Sequence, residues 1–202
     1  MNITAIKQQV KQHNRYSIYV DGSYAFSLGD TALLDSRITV GQELDDEQLQ
    51  TYKQLSSDDK VYGNAMRYVA MRTRSIGEMR DYFTRKKVDG PLAEMIFNKL
   101  ISLGLLDDEA FARAWVQNRR LLKPTSRRKL QQELQLKHVS SEIIDTILAE
   151  DRQETDEQDV LVALIARKRA RYADDQKLMQ YLSRQGYAYQ DVKAALEKSR
   201  QD

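Results

Sequence analysis

The chain has 202 residues, 41% of them hydrophobic, with 32 Lys and Arg against 30 Asp and Glu for a net charge of +2, two His and no Cys. A chain of this length suits one large domain, or a small one plus a repeat array, and the lack of Cys excludes a disulfide framework, a thiolate metal site and a thiol nucleophile. The longest apolar runs fall far short of a membrane span and Met1 leads into a strand-like pattern rather than an apolar signal region, so a cytoplasmic protein with no membrane partner is expected.

Charge is unevenly spread, at −3 over residues 1–60, +4 over 61–106, −1 over 107–156 and +2 over 157–202. The basic residues are therefore local patches, which favours a specific basic face over bulk polyanion binding. In chain order, Ile3 and Ala5 alternate with polar residues, as do Tyr16, Ile18 and Val20, and after Asp21-Gly22 the alternation resumes at Tyr24, Phe26 and Leu28. Asp-Gly between two alternating runs predicts a β-hairpin. Thr31 to Ser36 suits a short helix punctuated by Gly41. Asp45 and Gln48 open a helix with a capping box, and Leu44, Leu49, Tyr52 and Leu55 form its apolar stripe. Ser56-Ser57-Asp58-Asp59 is expected to break that helix and cap the next, placing a domain boundary near residue 58.

Beyond the boundary a three-helix unit recurs. Its middle helices carry Met79 and Phe83, Leu130 and Leu134, and Leu178 and Leu182, each pair four apart on one helical face. The turns that follow align as well, with Val88, Val139 and Tyr187 in equivalent places, then Ile96, Ile144 and Val192, then Leu100, Leu148 and Leu196. The Ser75-to-Glu78 capping box, Pro91 in a first helical turn and Gly104 past a helix end punctuate the first unit. The expected fold is mainly α: a tandem array of three three-helix repeats, residues 59–106, 107–153 and 154–202, preceded by a small N-terminal β-hairpin-containing extension, residues 1–58.

Basic residues gather just before each middle helix: Arg72 and Arg74; Arg119, Arg120, Lys123, Arg127, Arg128 and Lys129; and Arg167, Lys168, Arg169 and Arg171. These twelve are the candidate contacts to a partner protein or to nucleic acid, because equivalent clusters in successive repeats present a basic ridge with salt-sensitive affinity. Arg128, Gln132 and Gln135 share the outward face of the central helix, as a helix-turn-helix DNA-binding protein would also require. Tyr68, Tyr82, Phe83, Phe97, Phe111 and Trp115 have core spacing. Tyr187 and Tyr189 cannot share one helical face, so one of them is expected at the surface. The paired carboxylates Asp45-Asp46, Asp58-Asp59, Asp107-Asp108 and Asp174-Asp175 stand where helices begin and read as caps rather than metal ligands. His13 and His138 lack ligand spacing, and no Walker-type loop or Gly-rich nucleotide fingerprint is present. A non-enzymatic protein without cofactor or metal is expected.

Several motifs in order resemble the RecX family of recombinase regulators: Arg74-Ser75 with Glu78-Met79, Leu106-Asp107-Asp108-Glu109-Ala110-Phe111-Ala112, Leu130-Gln131-Gln132-Glu133-Leu134, and Arg184-Gln185-Gly186-Tyr187-Ala188-Tyr189. The hairpin, with Val20-Asp21-Gly22 and Tyr24-Ala25-Phe26-Ser27, looks like the extension of that family's longer members. The chain departs from the family pattern where Gly usually follows the middle helix. Only Gly186 keeps it, Lys87 and His138 taking the other two places, and Thr125-Ser126 replaces a Gly before the second middle helix. The resemblance implies a regulator that binds the RecA recombinase filament on DNA and restrains its assembly and activity in recombination, DNA repair and the SOS response. DNA contact alone is then expected to be weak, and the chain itself a monomer.

Overall fold

The N-terminal alternation becomes a three-stranded antiparallel sheet. In the computed structural model, which describes residues 1–198, β1 (Ile3–Gln8), β2 (Arg15–Val20) and β3 (Ser23–Gly29) lie in the order β1-β2-β3. Asp21 and Gly22 both take left-handed backbone, φ 48° and 79°, between the paired Val20 and Ser23. That is the primed turn whose twist suits adjacent antiparallel strands. One face of the sheet buries Ile3, Ile18, Val20, Phe26 and Leu28 together with Ile38 and Leu44. Helix α1 (Asp30–Ser36) follows, ending at Arg37 with φ 52°.

Helix α2 (Asp46–Ala70) opens on the capping box formed by Asp45 and Gln48. It runs unbroken for 25 residues, so the expected interruption at Ser56 to Asp59, and with it a boundary near residue 58, is not found. Those polar residues serve the sheet instead. The outer edge of β3 exposes backbone groups that need partners. Ser56 Oγ donates to Ser27 O (2.6 Å) and accepts from Ser27 N (3.3 Å), while Asp59 Oδ2 accepts from Gly29 N (2.9 Å) and from Arg15 (2.8 Å). A β-carbon on Gly29 would lie 3.2 Å from the Asp59 carboxylate, so Gly permits this approach. Asp59→Ala is expected to lower stability by about 2 kcal/mol, because it strands a largely buried guanidinium and an edge N–H. Asp58→Ala, which loses only an exposed bond from Gln54, should change little. Chemical denaturation of both variants checks the contrast.

The remaining helices are α3 (Ile76–Lys86), α4 (Gly90–Ser102), α5 (Asp108–Leu122), α6 (Arg127–Gln135), α7 (Ser141–Glu154), α8 (Glu157–Arg169), α9 (Asp175–Arg184) and α10 (Tyr189–Lys198), ten helices in all among the described residues. Residues 199–202 of the expected third repeat lie outside them. The chain divides into two compact units. The first holds Met1–Arg72 and Lys87–Leu103, with α4 packed on α2; the second holds Thr73–Lys86 and everything from Gly104 on. The helices expected to form a first repeat are therefore shared between units, α3 falling in the second.

Within the second unit, α5–α7 bury Phe111, Ala112, Val116, Leu130, Leu134, Val139, Ile144, Ile147 and Leu148 around one core. Helices α8–α10 bury Leu161, Leu164, Ile165, Leu178, Leu182, Tyr187, Val192, Ala195 and Leu196 around another. Asp107, Ser126, Ser140, Asp156 and Asp174 cap the helices they precede, accepting bonds from the first-turn N–H groups. Three of the four carboxylate pairs thus cap as expected, at Asp45, Asp107 and Asp174; Asp58-Asp59 sits inside α2.

Candidate partner-binding surface

The middle helices of the second unit are tied together by their end turns. Lys87, His138 and Gly186, in equivalent places after the middle helices, all take left-handed backbone at φ 53°, 58° and 90°. Two of these turns seat against the start of the preceding middle helix. At the first seat Ser75 Oγ donates to Lys137 O (2.6 Å), Lys137 Nζ reaches Glu78 (2.6 Å), and His138 Cβ lies where a β-carbon on Gly77 would be. At the second, Thr125 Oγ1 and Ser126 N both donate to Gln185 O (2.8 and 3.1 Å), and Gly186 lies where any β-carbon would meet Ser126 Oγ and Lys129. The same carbonyl position is bound in each seat. Where one partner is large, the other is Gly.

This arrangement decides which cations face solvent. Arg120 grips Asp151 through Nε (2.8 Å) and a terminal nitrogen (2.6 Å), and its other terminal nitrogen donates to Thr125 O (2.8 Å). Arg127 Nε also donates to Asp151 (2.8 Å), and its backbone N–H donates to Glu157 (2.6 Å). The Asp151 side chain is only 5% exposed. Burial alone would push its carboxyl up, but the hydrogen bonds and charges of Arg120 and Arg127 outweigh that and hold it below the usual carboxylate range. Nearby, the Tyr187 hydroxyl is buried without a hydrogen-bond partner among the described residues, and burial pushes it up to about 12. Arg119 pairs with Glu133 (2.7 Å), which also accepts from the indole of Trp115 (3.0 Å). Lys129 donates to Arg184 O (2.5 Å), and Arg169 pairs with Asp175. Arg119, Arg120, Arg127, Lys129 and Arg169 are thus turned toward internal partners, against the expectation that they face a partner molecule. Spacing in a loop does not say which acid lies across from a cation.

The others differ. Arg72, Lys123, Arg128, Arg167 and Arg171 are exposed, and Arg74 and Lys168 are half-buried. Lys168 Nζ lies 5.7 Å from the ring of Tyr181, and Arg171 5.8 Å from that of Tyr172, the two rings stacking at 5.2 Å. Arg72, Lys123 and Arg171 share one address: each stands three residues before the residue that caps a middle helix, namely Ser75, Ser126 and Asp174. Arg128, Gln132 and Gln135 are exposed together along α6. Of the two late tyrosines, Tyr187 is buried and Tyr189 is 64% exposed. Among the described residues no group of three His, Cys, Asp or Glu could hold a metal ion, and no helix is long and apolar enough to cross a membrane.

A small antiparallel sheet followed by helices that pack in three-helix units defines a helical-repeat fold. Comparison with known proteins narrows that class. The family model for the regulatory protein RecX N-terminal domain matches residues 1–45, and that for the second three-helix domain of RecX matches residues 107–148. The regulatory protein RecX of Halalkalibacterium halodurans is 31% identical over 194 residues, covering 92% of this chain and 73% of that protein. The Bacillus pumilus protein is 28% identical over 98% of this chain and 77% of its own length. The Lactobacillus johnsonii protein is 32% identical, but this chain spans only 54% of it. The chain belongs to the RecX family of regulatory proteins. Its fold matches a crystal structure of regulatory protein RecX with a TM-score of 0.70 at 24% identity over 100% of this chain and 99% of the other. It also matches RecX from Lactobacillus salivarius at 0.59 and 22% identity, over 72% and 97%.

Proposed function

We propose that this chain is a non-enzymatic regulator that binds a RecA-type recombinase filament on DNA and restrains the filament's assembly and activity. Membership of the RecX family supplies the regulatory role. What supports the reading further is the recurrence within the second unit of an exposed cation at one loop position, Lys123 and Arg171, joined by Arg128 and Arg167. A partner that repeats along its length offers the same acidic feature again and again, and an array with one cation per repeat engages several such features at once. Recombinase-driven ATP hydrolysis and strand exchange should fall when the chain is added; no change at stoichiometric amounts would end this reading. Charge reversal sharpens it. Lys123→Glu, Arg128→Glu and Arg171→Glu together should weaken filament binding by about tenfold or more without shifting the melting temperature. Reversing Arg127 should destabilise the fold itself.

A helix-turn-helix protein acting on DNA without recombinase is the second reading, favoured by the exposed face of Arg128, Gln132 and Gln135. Such motifs read base edges with the first residues of the recognition helix. In this chain the starts of α3 and α6 hold the end turns at Lys137 and Gln185, which stands against that mode. Sequence-selective retention of duplex DNA by the chain alone would revive it.

A further inference from the structure

Resting on the filament-binding reading, we infer that the segment joining α5 to α6 docks on protein rather than on phosphate, inserting its exposed leucines into a carboxylate-rimmed apolar pocket on the partner. The residue preceding each address cation is Met71, Leu122 or Ala170, and all three are exposed, Met71 at 80% and Leu122 at 72%. Leu121 adds a further large side chain at 77%. Position by position, then, the loops present an apolar group followed by a cation.

Helix packing does not require these side chains. On α5 the buried stripe is Phe111, Ala112 and Val116, with Trp115 packed beside it, and the next inward positions go to Arg119 and Arg120 with their acid partners. Leu121 and Leu122 lie beyond that stripe, at the helix end, against water. Large aliphatic groups are common singly on surfaces, but adjacent ones at a helix end beside a cation have the composition of a protein-binding anchor. Phosphate contact needs the cation and gains nothing from a leucine beside it.

The base of this tip is held fixed. Thr125 and Ser126, immediately after Lys123-Pro124, are buried. Thr125 O accepts from Arg120 (2.8 Å), Thr125 Oγ1 donates to Gln185 O (2.8 Å), and Ser126 N donates to the same carbonyl (3.1 Å). An exposed apolar tip on a pinned base binds without first losing loop entropy, as a preorganised anchor does. The flanking cation Lys123 chooses an acidic rim around the pocket.

The test compares the full chain with Leu121→Ser/Leu122→Ser and with Lys123→Glu, measuring binding to recombinase filaments and, separately, to single-stranded DNA without recombinase. The leucine pair variant is expected to lose about tenfold or more in filament affinity, with DNA binding and melting temperature unchanged. Lys123→Glu should weaken filament binding and make what remains less sensitive to salt. Unchanged filament affinity in the leucine variant overturns the inference, as does an equal loss on bare DNA, which would mark the tip as a nucleic-acid contact. Failure of the unaltered chain to bind filaments would instead overturn the filament-binding reading, and this one with it.

Discussion

Asp151→Asn is expected to cause a large loss of stability, and the loss falls on the second unit. The substitution keeps the shape and removes the charge, leaving the Arg120 and Arg127 guanidiniums, 12% and 14% exposed, without their shared counter-ion. Removing one partner of a buried ion pair typically costs about 3–5 kcal/mol, roughly 10 °C of melting temperature for a chain of this length. Urea denaturation at neutral pH checks the magnitude, and its pH dependence checks the cause. Because the two arginines hold the folded-state carboxyl below its unfolded value, its stabilisation is fully present above the ordinary Asp range of about 4 and is lost as pH falls through the folded value. The gap between parent and variant should therefore stay constant from neutrality down to about pH 5 and close at more acid pH. A gap independent of pH would mean that Asp151 acts by packing alone.

Gly186→Ala is expected to destabilise as well. Its backbone lies at φ 90°, where an L side chain is strained by about 1–2 kcal/mol, and its new methyl group would press on Ser126 Oγ and Lys129 Cβ. Overpacking of this kind adds about 1–3 kcal/mol. The loss should fall on the seat between the repeats, so unfolding is expected to divide into two transitions in which α8–α10 melt first. The other seat offers a control. Gly77→Ala would crowd His138 Cβ and lie 2.9 Å from Lys137 O, and His138→Gly should relieve the first contact but not the second, giving partial rescue. Trp115, the only tryptophan, has Lys137 Nζ 4.8 Å from its ring and reports on this seat by fluorescence. Complete rescue, or none, would contradict this geometry.

Much of the fold could be read from the residues. Alternation with Asp21-Gly22 gave the hairpin, the capping box at Asp45 gave the start of α2, and the leucines of the middle helices gave the buried stripes at Leu130, Leu134, Leu178 and Leu182. The missing glycines were informative too, since Lys87 and His138 adopt the left-handed backbone that the position demands. Where local signals misled, a distant group had a claim on the residue. Ser56 and Asp59 look like a helix break, yet they satisfy the edge of β3, some 30 residues away in sequence. The candidate surface was legible only in part, for the same reason. A basic cluster such as Arg119 to Lys129 mixes cations that hold the fold with cations that face outward, and only the position of the opposing acid separates them. One signal was available: Asp151 continues the apolar stripe of Ile144, Ile147 and Leu148 at helical spacing. An acid there announces a buried arginine partner. The exposed Leu121 and Leu122 gave no such sign, because a leucine on a helix is read as core by default.

The unequal seats bear on how far the repeats can be rearranged. Joining the third repeat directly to α3, by deleting the second, would set Gly186 opposite Gly77 and leave a gap where His138 now fills space. Doubling the second repeat would do the reverse, bringing His138 against Ser126 and Lys129, where only a glycine fits. The units share a plan but are not interchangeable cassettes. Each carries in its end turn the key to one neighbour, so the order of the array is written into its joints.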